Sequence, residues 1–128
     1  MDHVGVVVSD LDGTSRSFER ILGPPREVHR REEVGLSARV FRVGGVDVEV
    51  LAFEGAVPGV DPRVTRASGL QHVAFRVDDL GAALEHLAAY GVEPLPGFPR
   101  QGLNGRIAFV EDPVTGCLVE LVEPKVLG

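Results

Sequence analysis

The sequence predicts an α+β fold in which two βαβββ modules join into a cupped eight-stranded mixed sheet around a metal site. Three observations predict it. The chain repeats itself, apolar residues alternate along its strand-like runs, and two histidines and two glutamates fall at matching places in the two copies.

The repeat comes first. Residues 3–11 read His-Val-Gly-Val-Val-Val-Ser-Asp-Leu, and residues 72–80 read His-Val-Ala-Phe-Arg-Val-Asp-Asp-Leu. Five of the nine positions are identical, at an offset of 69 residues (72 minus 3). Residues 46–51, Val-Asp-Val-Glu-Val-Leu, match residues 117–122, Cys-Leu-Val-Glu-Leu-Val, at an offset of 71 (120 minus 49). Module one therefore spans about residues 2–54 and module two about 70–124. The stretch between them, Gly55–Gly69, reads as a loop with room for one short turn.

Each element has a local reason. Asp2–Val8 alternates on a β-branched background and reads as a strand. Ser9 or Asp10 can cap a helix running to about Leu22, which Gly23-Pro24-Pro25 ends. Strands follow near Glu27–Arg31, Leu36–Val43 and Val46–Phe53, the last two joined through Gly44-Gly45 as a tight hairpin. In the second copy Gln71–Val77 is a strand, and Asp78 or Asp79 starts a helix to about Tyr90, with Gly91 past its end. Strands then fall near Val92–Pro94, Arg106–Val110 and Cys117–Val122, with Pro113–Gly116 as a turn.

Composition fits a single domain, residues 1–128. Hydrophobic residues make up 44% and charged residues 25%, enough for a core in a soluble chain. The net charge is −6, and no Lys/Arg run is long enough to suggest nucleic acid or an anionic membrane surface. Apolar runs are too short to span a bilayer, and no signal-peptide pattern opens the chain. A single cysteine, Cys117, rules out an intrachain disulfide, points to the cytoplasm and is expected to pack as a small apolar residue.

Strand parity locates the chemistry. Side chains alternate across a strand. Val4, Val6 and Val8 share one face, expected to lie under the helix, and His3 lies on the other. Val73, Phe75 and Val77 oppose His72, Ala74 and Arg76. Val46, Val48 and Val50 oppose Glu49, and Val119 and Leu121 oppose Glu120. All four polar residues thus face away from the helices. A carboxylate between apolar neighbours is costly unless paired or coordinated. Two imidazoles and two carboxylates suit a first-row divalent ion. His3, Glu49, His72 and Glu120 are the expected ligands. Arg76 points into the same cup and can hold a substrate carboxylate, a surface ion pair being the other reading.

These residues also carry a resemblance. The doubled His-Val-x-x-x-Val-x-Asp-Leu opening and the late Val-Glu-Leu-Val-Glu resemble the vicinal oxygen chelate superfamily (glyoxalase, bleomycin resistance, extradiol dioxygenase) over nearly the whole chain. The resemblance implies paired βαβββ modules and a divalent metal, such as Co2+, Ni2+, Mn2+ or Zn2+, on the same four residues. Within the superfamily the chain is most similar to the methylmalonyl-CoA epimerases. Residues 69–80, Gly-Leu-Gln-His-Val-Ala-Phe-Arg-Val-Asp-Asp-Leu, resemble that family's Gly-Leu-His-His-Ile-Ala-Phe-x-Val-Asp-Asp-Ile, with Gln71 in place of the first histidine. Residues 105–109 and 113–121 are similar to its late strands. His29-Arg-Arg-Glu-Glu33 followed by Gly35 is similar to the segment that carries a catalytic base, which falls on Glu33, with Glu32 as the competing position.

The activity so implied is epimerisation of a 2-carboxyacyl-CoA such as methylmalonyl-CoA, by α-proton abstraction through a metal-stabilised enolate. Glu120 and Glu33 would serve as acid and base on opposite faces. The alternatives are a glyoxalase I-type lactoylglutathione lyase, which resembles this ligand set, and a resistance-type protein that only sequesters its ligand. The expected partners are an acyl-CoA and a second copy of the chain in a homodimer.

Overall fold

A computed structural model describes residues 1–125. Residues 126–128, which the single-domain expectation includes, lie outside the described residues. Strands β1 (His3–Val7), β2 (Glu27–Arg31), β3 (Leu36–Val43), β4 (Val46–Phe53), β5 (Gly69–Arg76), β6 (Arg100–Gln101), β7 (Gly105–Glu111) and β8 (Leu118–Pro124) form one sheet in the order β2-β3-β4-β1-β5-β8-β7-β6. The helices are α1 (Leu11–Leu22), α2 (Pro62–Thr65) and α3 (Leu80–Ala88). The α+β fold of two βαβββ modules is therefore the observed one.

The sheet reads the same outward from its centre in both directions. β1 pairs in parallel with β4, and β5 in parallel with β8. A parallel pair needs a crossover, which begins with α1 in one module and α3 in the other. β1 and β5 meet antiparallel, with His3 opposite Ala74 and Gly5 opposite His72. Because His3 matches His72 and Gly5 matches Ala74 in the repeat, this junction is self-complementary. It places the two histidines on one face, diagonally across the seam.

Local signals select the helix starts. Asp10 accepts from the Gly13 N–H and Asp79 from the Ala82 N–H, so the second candidate in each module is the cap. Asp61 caps α2 through the Arg63 N–H, giving the linker its one short turn. Gly44 supplies a positive φ for the β3–β4 hairpin.

Three expectations are corrected. The strand near Val92–Pro94 does not form, and the second strand of module two is instead the short β6. Pro94, Pro96 and Pro99 carry no N–H, and the Leu95 N–H bond to the Phe109 carbonyl is what fastens this segment to β7. Helix α3 stops at Ala88, two residues before Tyr90. Cys117 is exposed, just ahead of β8.

The helices also sit farther out than parity implied. α1 packs on β3 and β4, with Phe18 edge-on to Phe41 at 5.9 Å, and α3 packs on β7 and β8 through Leu80, Ala108 and Leu121. Among the described residues no helix covers the central strands on that convex side. Val4 and Val6 are only half-buried, and Leu70 and Phe75 are exposed. The concave side is better enclosed: Val7, Leu36, Ala38 and Leu51 form one cluster, and Val64, Leu95, Phe109 and Leu118 another.

Candidate metal centre

The register brings the four predicted polar residues to the concave face beside the β1–β5 seam. Glu49 pairs with Gly5 from β4, and Glu120 with Ala74 from β8. His3, Glu49, His72 and Glu120 are all buried, between 3% and 6% exposed.

Three of them form a tight group. His3 Nε2 lies 3.2 Å from His72 Nε2, His72 Nε2 lies 3.1 Å from Glu120 Oε2, and His3 Nε2 lies 3.5 Å from the same oxygen. Glu49 is placed differently. Its Oε2 is 3.4 Å from His3 Nδ1, on the far side of that ring. The expected quartet is thus a trio, His3, His72 and Glu120, with Glu49 adjacent.

The backs of the rings are also occupied. His3 Nδ1 lies 2.8 Å from Asp2 Oδ2, and His72 Nδ1 lies 2.9 Å from Gln71 Oε1. With a proton on each Nδ1, both Nε2 lone pairs and a carboxylate converge on one point. Three such donors repel one another unless a cation sits among them. Ligands about 2.1 Å from a shared divalent ion stand roughly 3.0–3.4 Å apart. The separations in the trio fit that requirement, so these residues suit a first-row divalent ion.

The electrostatics say the same. Burial disfavours a charged His3, yet hydrogen bonding and charge from Glu120, with Glu49 and Asp2 behind, push it up to about 9. Burial likewise works against a charged Glu120, and the two imidazoles outweigh it and hold that carboxyl at about 2. Glu49 goes the other way: burial, only partly offset by His3, pushes it up to about 7. The pocket holds positive charge strongly.

Gly5 is indispensable to this packing, a role that strand alternation alone does not assign it. A Cβ there would fall 1.9 Å from His72 Cε1, inside the ring. The signal was present as a small residue two after each histidine, Gly5 and Ala74. Asp2 and Gln71, each immediately before a histidine, were missed as partners of the rings. Phe109 stands edge-on to His72 at 5.0 Å and to Phe98 at 5.1 Å, and such contacts hold the imidazole's orientation.

A cavity of about 100 Å³, open to solvent, extends from the trio. Its wall is mostly apolar, with Leu36, Leu51, Phe53, Leu103 and Phe109 among its residues. Arg31 and Arg100 are the cationic side chains along it. Arg100 pairs with Ile107 from β6 and so faces the concave side. Among the described residues it makes no ion pair, whereas Arg31 holds Glu33 at 2.7 Å.

The remaining candidates lie off the cavity wall. Arg76 is 67% exposed at its side chain and donates to Asp2 Oδ1 at 3.1 Å, the ion-pair reading of that residue. Glu33 sits on the 3-10 turn Glu32–Val34 and is 61% exposed. A backbone hydrogen bond and Arg31 hold its carboxyl below the ordinary value. Glu32 is more exposed still and pairs with Arg30.

The sequence and the fold match known proteins. The profile of the Glyoxalase/Bleomycin resistance protein/Dioxygenase superfamily matches residues 1–121. The chain is 34% identical to the uncharacterized protein YqjC of Bacillus subtilis, over 98% of this chain and 92% of that one. It is 27% identical to the ethylmalonyl-CoA/methylmalonyl-CoA epimerase of Cereibacter sphaeroides, over 94% and 95% of the two chains. The crystal structure of methylmalonyl-CoA epimerase from Mycobacterium tuberculosis superposes with a TM-score of 0.76 at 28% identity, covering 98% of this chain and 87% of that one. A methylmalonyl-CoA epimerase in complex with methylmalonyl-CoA and NH4+ gives 0.74 at 28% identity, covering 95% and 92%. The doubled module, its self-complementary seam and the match along nearly the whole chain make this protein a member of the glyoxalase/bleomycin resistance protein/dioxygenase superfamily.

Proposed function

We propose that the protein is a metal-dependent isomerase that epimerises a 2-carboxyacyl-CoA such as methylmalonyl-CoA. The observation that carries this reading is the buried His3–His72–Glu120 trio opening on a mostly apolar cavity. The epimerase relatives, similar over most of their length, support it.

His3, His72 and Glu120 would hold the divalent ion, Co2+, Ni2+, Mn2+ or Zn2+, and Glu49 would be a fourth ligand only after its carboxylate turns from the Nδ1 side of His3 toward the trio. When bound, the ion supplies a Lewis acid for substrate oxygens. The chain supplies the rest. The apolar wall excludes water from the reacting carbon. Arg100, a guanidinium on the wall with no ion pair among the described residues, is suited to a substrate carboxylate. Arg76 can join it only by releasing Asp2.

Inversion needs a proton carrier on each face of the α-carbon. Glu120 is proposed for one and Glu33 for the other, which requires the Arg31–Glu33 pair to open when substrate enters. A second assignment has its own observation. Glu49 is already on the cavity wall, and burial raises its carboxyl toward the proton-carrying form. Glu33→Gln and Glu49→Gln decide between them. The true base, once removed, stops inversion but spares α-proton exchange from the enantiomer whose proton faces Glu120.

The reading is tested by incubating wild type with 2-carboxyacyl-CoA esters in deuterated water. Label at the α-carbon together with inversion is expected. Neither event on any ester would overturn it and favour the lyase or the binder. A cytoplasmic homodimer completes the proposal. The bare convex stripe of Leu70 and Phe75 supports the dimer, and a monomer by light scattering at micromolar concentration would remove it. No described helix is long and apolar enough to cross a membrane.

A further inference from the structure

Gln71 occupies a bulge. The β1–β5 register passes from Gly5 opposite His72 to Val6 opposite Leu70, which leaves Gln71 as the extra residue. Strict alternation would turn it to the convex face, and the bulge re-aims it into the cavity wall.

Its amide makes three hydrogen bonds. Nε2 donates to the carbonyls of Arg63 and Val64, each at 2.9 Å. Oε1 faces His72 Nδ1 at 2.9 Å. Two carbonyls can be met only by the NH2 group, so chemistry fixes which end of the amide faces the ring. The end that remains is an acceptor, and the ring nitrogen opposite it must carry the proton. His72 is then the Nδ1–H tautomer, and its Nε2 lone pair points at His3 and Glu120. The carbonyls that anchor the amide belong to α2, a helix of four residues. So short a helix leaves its later carbonyls without partners of its own, and Gln71 supplies them.

We propose that Gln71 is a positioning residue for the metal centre, locking His72 in the metal-accepting tautomer and tying the linker to that ligand. The proposal rests on the metal-site reading above. The linker matters because Val60, Val64 and Thr65 wall the cavity. One amide therefore joins the wall to the imidazole. It is also neutral, so it orients the ring without adding to the carboxylates already beside His3.

Two variants separate the halves of this role. Gln71→Glu keeps an acceptor for His72 Nδ1 and loses the donors to α2. Gln71→Leu loses both. The readouts are Co2+ affinity by titration calorimetry, the His72 tautomer by imidazole nitrogen NMR in chelator-treated protein, and amide exchange at residues 63–65. Wild type should show the Nδ1–H form. Gln71→Leu should show mixed tautomers and bind Co2+ about tenfold to a hundredfold more weakly. Gln71→Glu should keep the tautomer and hold Co2+ within about threefold of wild type, while the linker amides exchange faster. An unchanged tautomer and affinity in Gln71→Leu would overturn the proposal. So would equal losses in both variants, because the linker tie alone would then explain them. Wild type that binds no divalent ion would sink the metal reading and this role together. Wild type that binds it beside an unaffected Gln71→Leu sinks this role alone.

Discussion

Asp2 and Gln71 occupy the same place in the two modules, immediately before His3 and His72, and each receives the Nδ1–H of its histidine. What braces them differs. Asp2 is a carboxylate tied to the exposed Arg76, and Gln71 is an amide tied to two backbone carbonyls. His3 lies among three carboxylates, Asp2, Glu49 and Glu120, whereas His72 touches only one of them, Glu120. One module thus supplies charge and the other fixed geometry. A duplicated scaffold gives two equivalent histidines, and the residues behind them make those histidines unlike.

The comparison breaks most severely at the glutamates. They are equivalent in register, yet only Glu120 touches both Nε2 atoms. Glu120→Ala and His72→Ala should each bring bound Co2+ below about a tenth of an equivalent after dialysis. Glu49→Gln should leave roughly stoichiometric metal at weaker affinity, and Glu33→Gln should leave it unchanged. Equal loss in Glu49→Gln and Glu120→Ala, read by elemental analysis, would show that the modules contribute alike.

The small residues come next. Gly5→Ala drives a methyl group into the His72 ring, so the ring must leave the trio. Metal affinity should fall by about a hundredfold, as when a ligand's orientation is lost. Ala74→Gly, the mirror change, removes a methyl and gives the ring room. It should cost only about 0.5–1 kcal/mol of stability, with metal retained. Calorimetry and thermal melts on the two variants check both halves.

These two sites also show what the sequence could and could not reveal. Parity located His3, His72, Glu49 and Glu120 because a two-residue period and a repeat constrain each other. Parity could not tell Glu49 from Glu120, since their backbones are equivalent and only side-chain direction separates them. Asp2 and Gln71 were hidden for another reason. Alternation sends them outward, and they reach the rings because Asp2 precedes the strand and Gln71 sits in a bulge. β6 was misplaced because a proline-rich segment is held by few backbone bonds, and those depend on a distant strand. Glu33 rests on likeness to a family segment, which fixes order along the chain and leaves the side chain's direction open.

Protons and metal compete at the charged half. His3 stands at about 9 against an ordinary 6.5, so at neutral pH a metal ion must displace a proton. Apparent Co2+ affinity should therefore rise about tenfold per pH unit between 7 and 9, then level off. Stability of chelator-treated protein runs the opposite way. A raised folded-state value contributes stability present below about 6.5 and lost as pH rises through about 9. Glu49, raised from 4.5 to about 7, loses its contribution in the same direction, across the window from 4.5 to 7. Glu120, lowered to about 2, contributes fully above 4.5 and is constant in this range. Melting temperatures of chelator-treated protein should fall from pH 6 to 9, and metal-loaded protein should not follow. Parallel curves would mean that the proton and the ion do not share a site.

The smallest difference lies at the helix starts. Asp10 and Asp79 cap α1 and α3 by the same bond, at 2.9 and 3.0 Å. Losing such a cap typically costs about 1 kcal/mol. The surroundings differ, however. The N-terminus of α3 has a second acceptor, because the Leu80 N–H donates to Glu123 Oε1 at 3.0 Å. α1 has no carboxylate from another strand in that role among the described bonds. Asp10→Ala should therefore lower the melting temperature by about 3–5 °C, and Asp79→Ala by roughly half as much. Removing Glu123 as well should close the gap, since α3 would then lose both acceptors. Equal shifts in the single variants would mean that Glu123, which holds a different N–H, does not compensate for a lost cap, and the modules would be alike in how they depend on their caps.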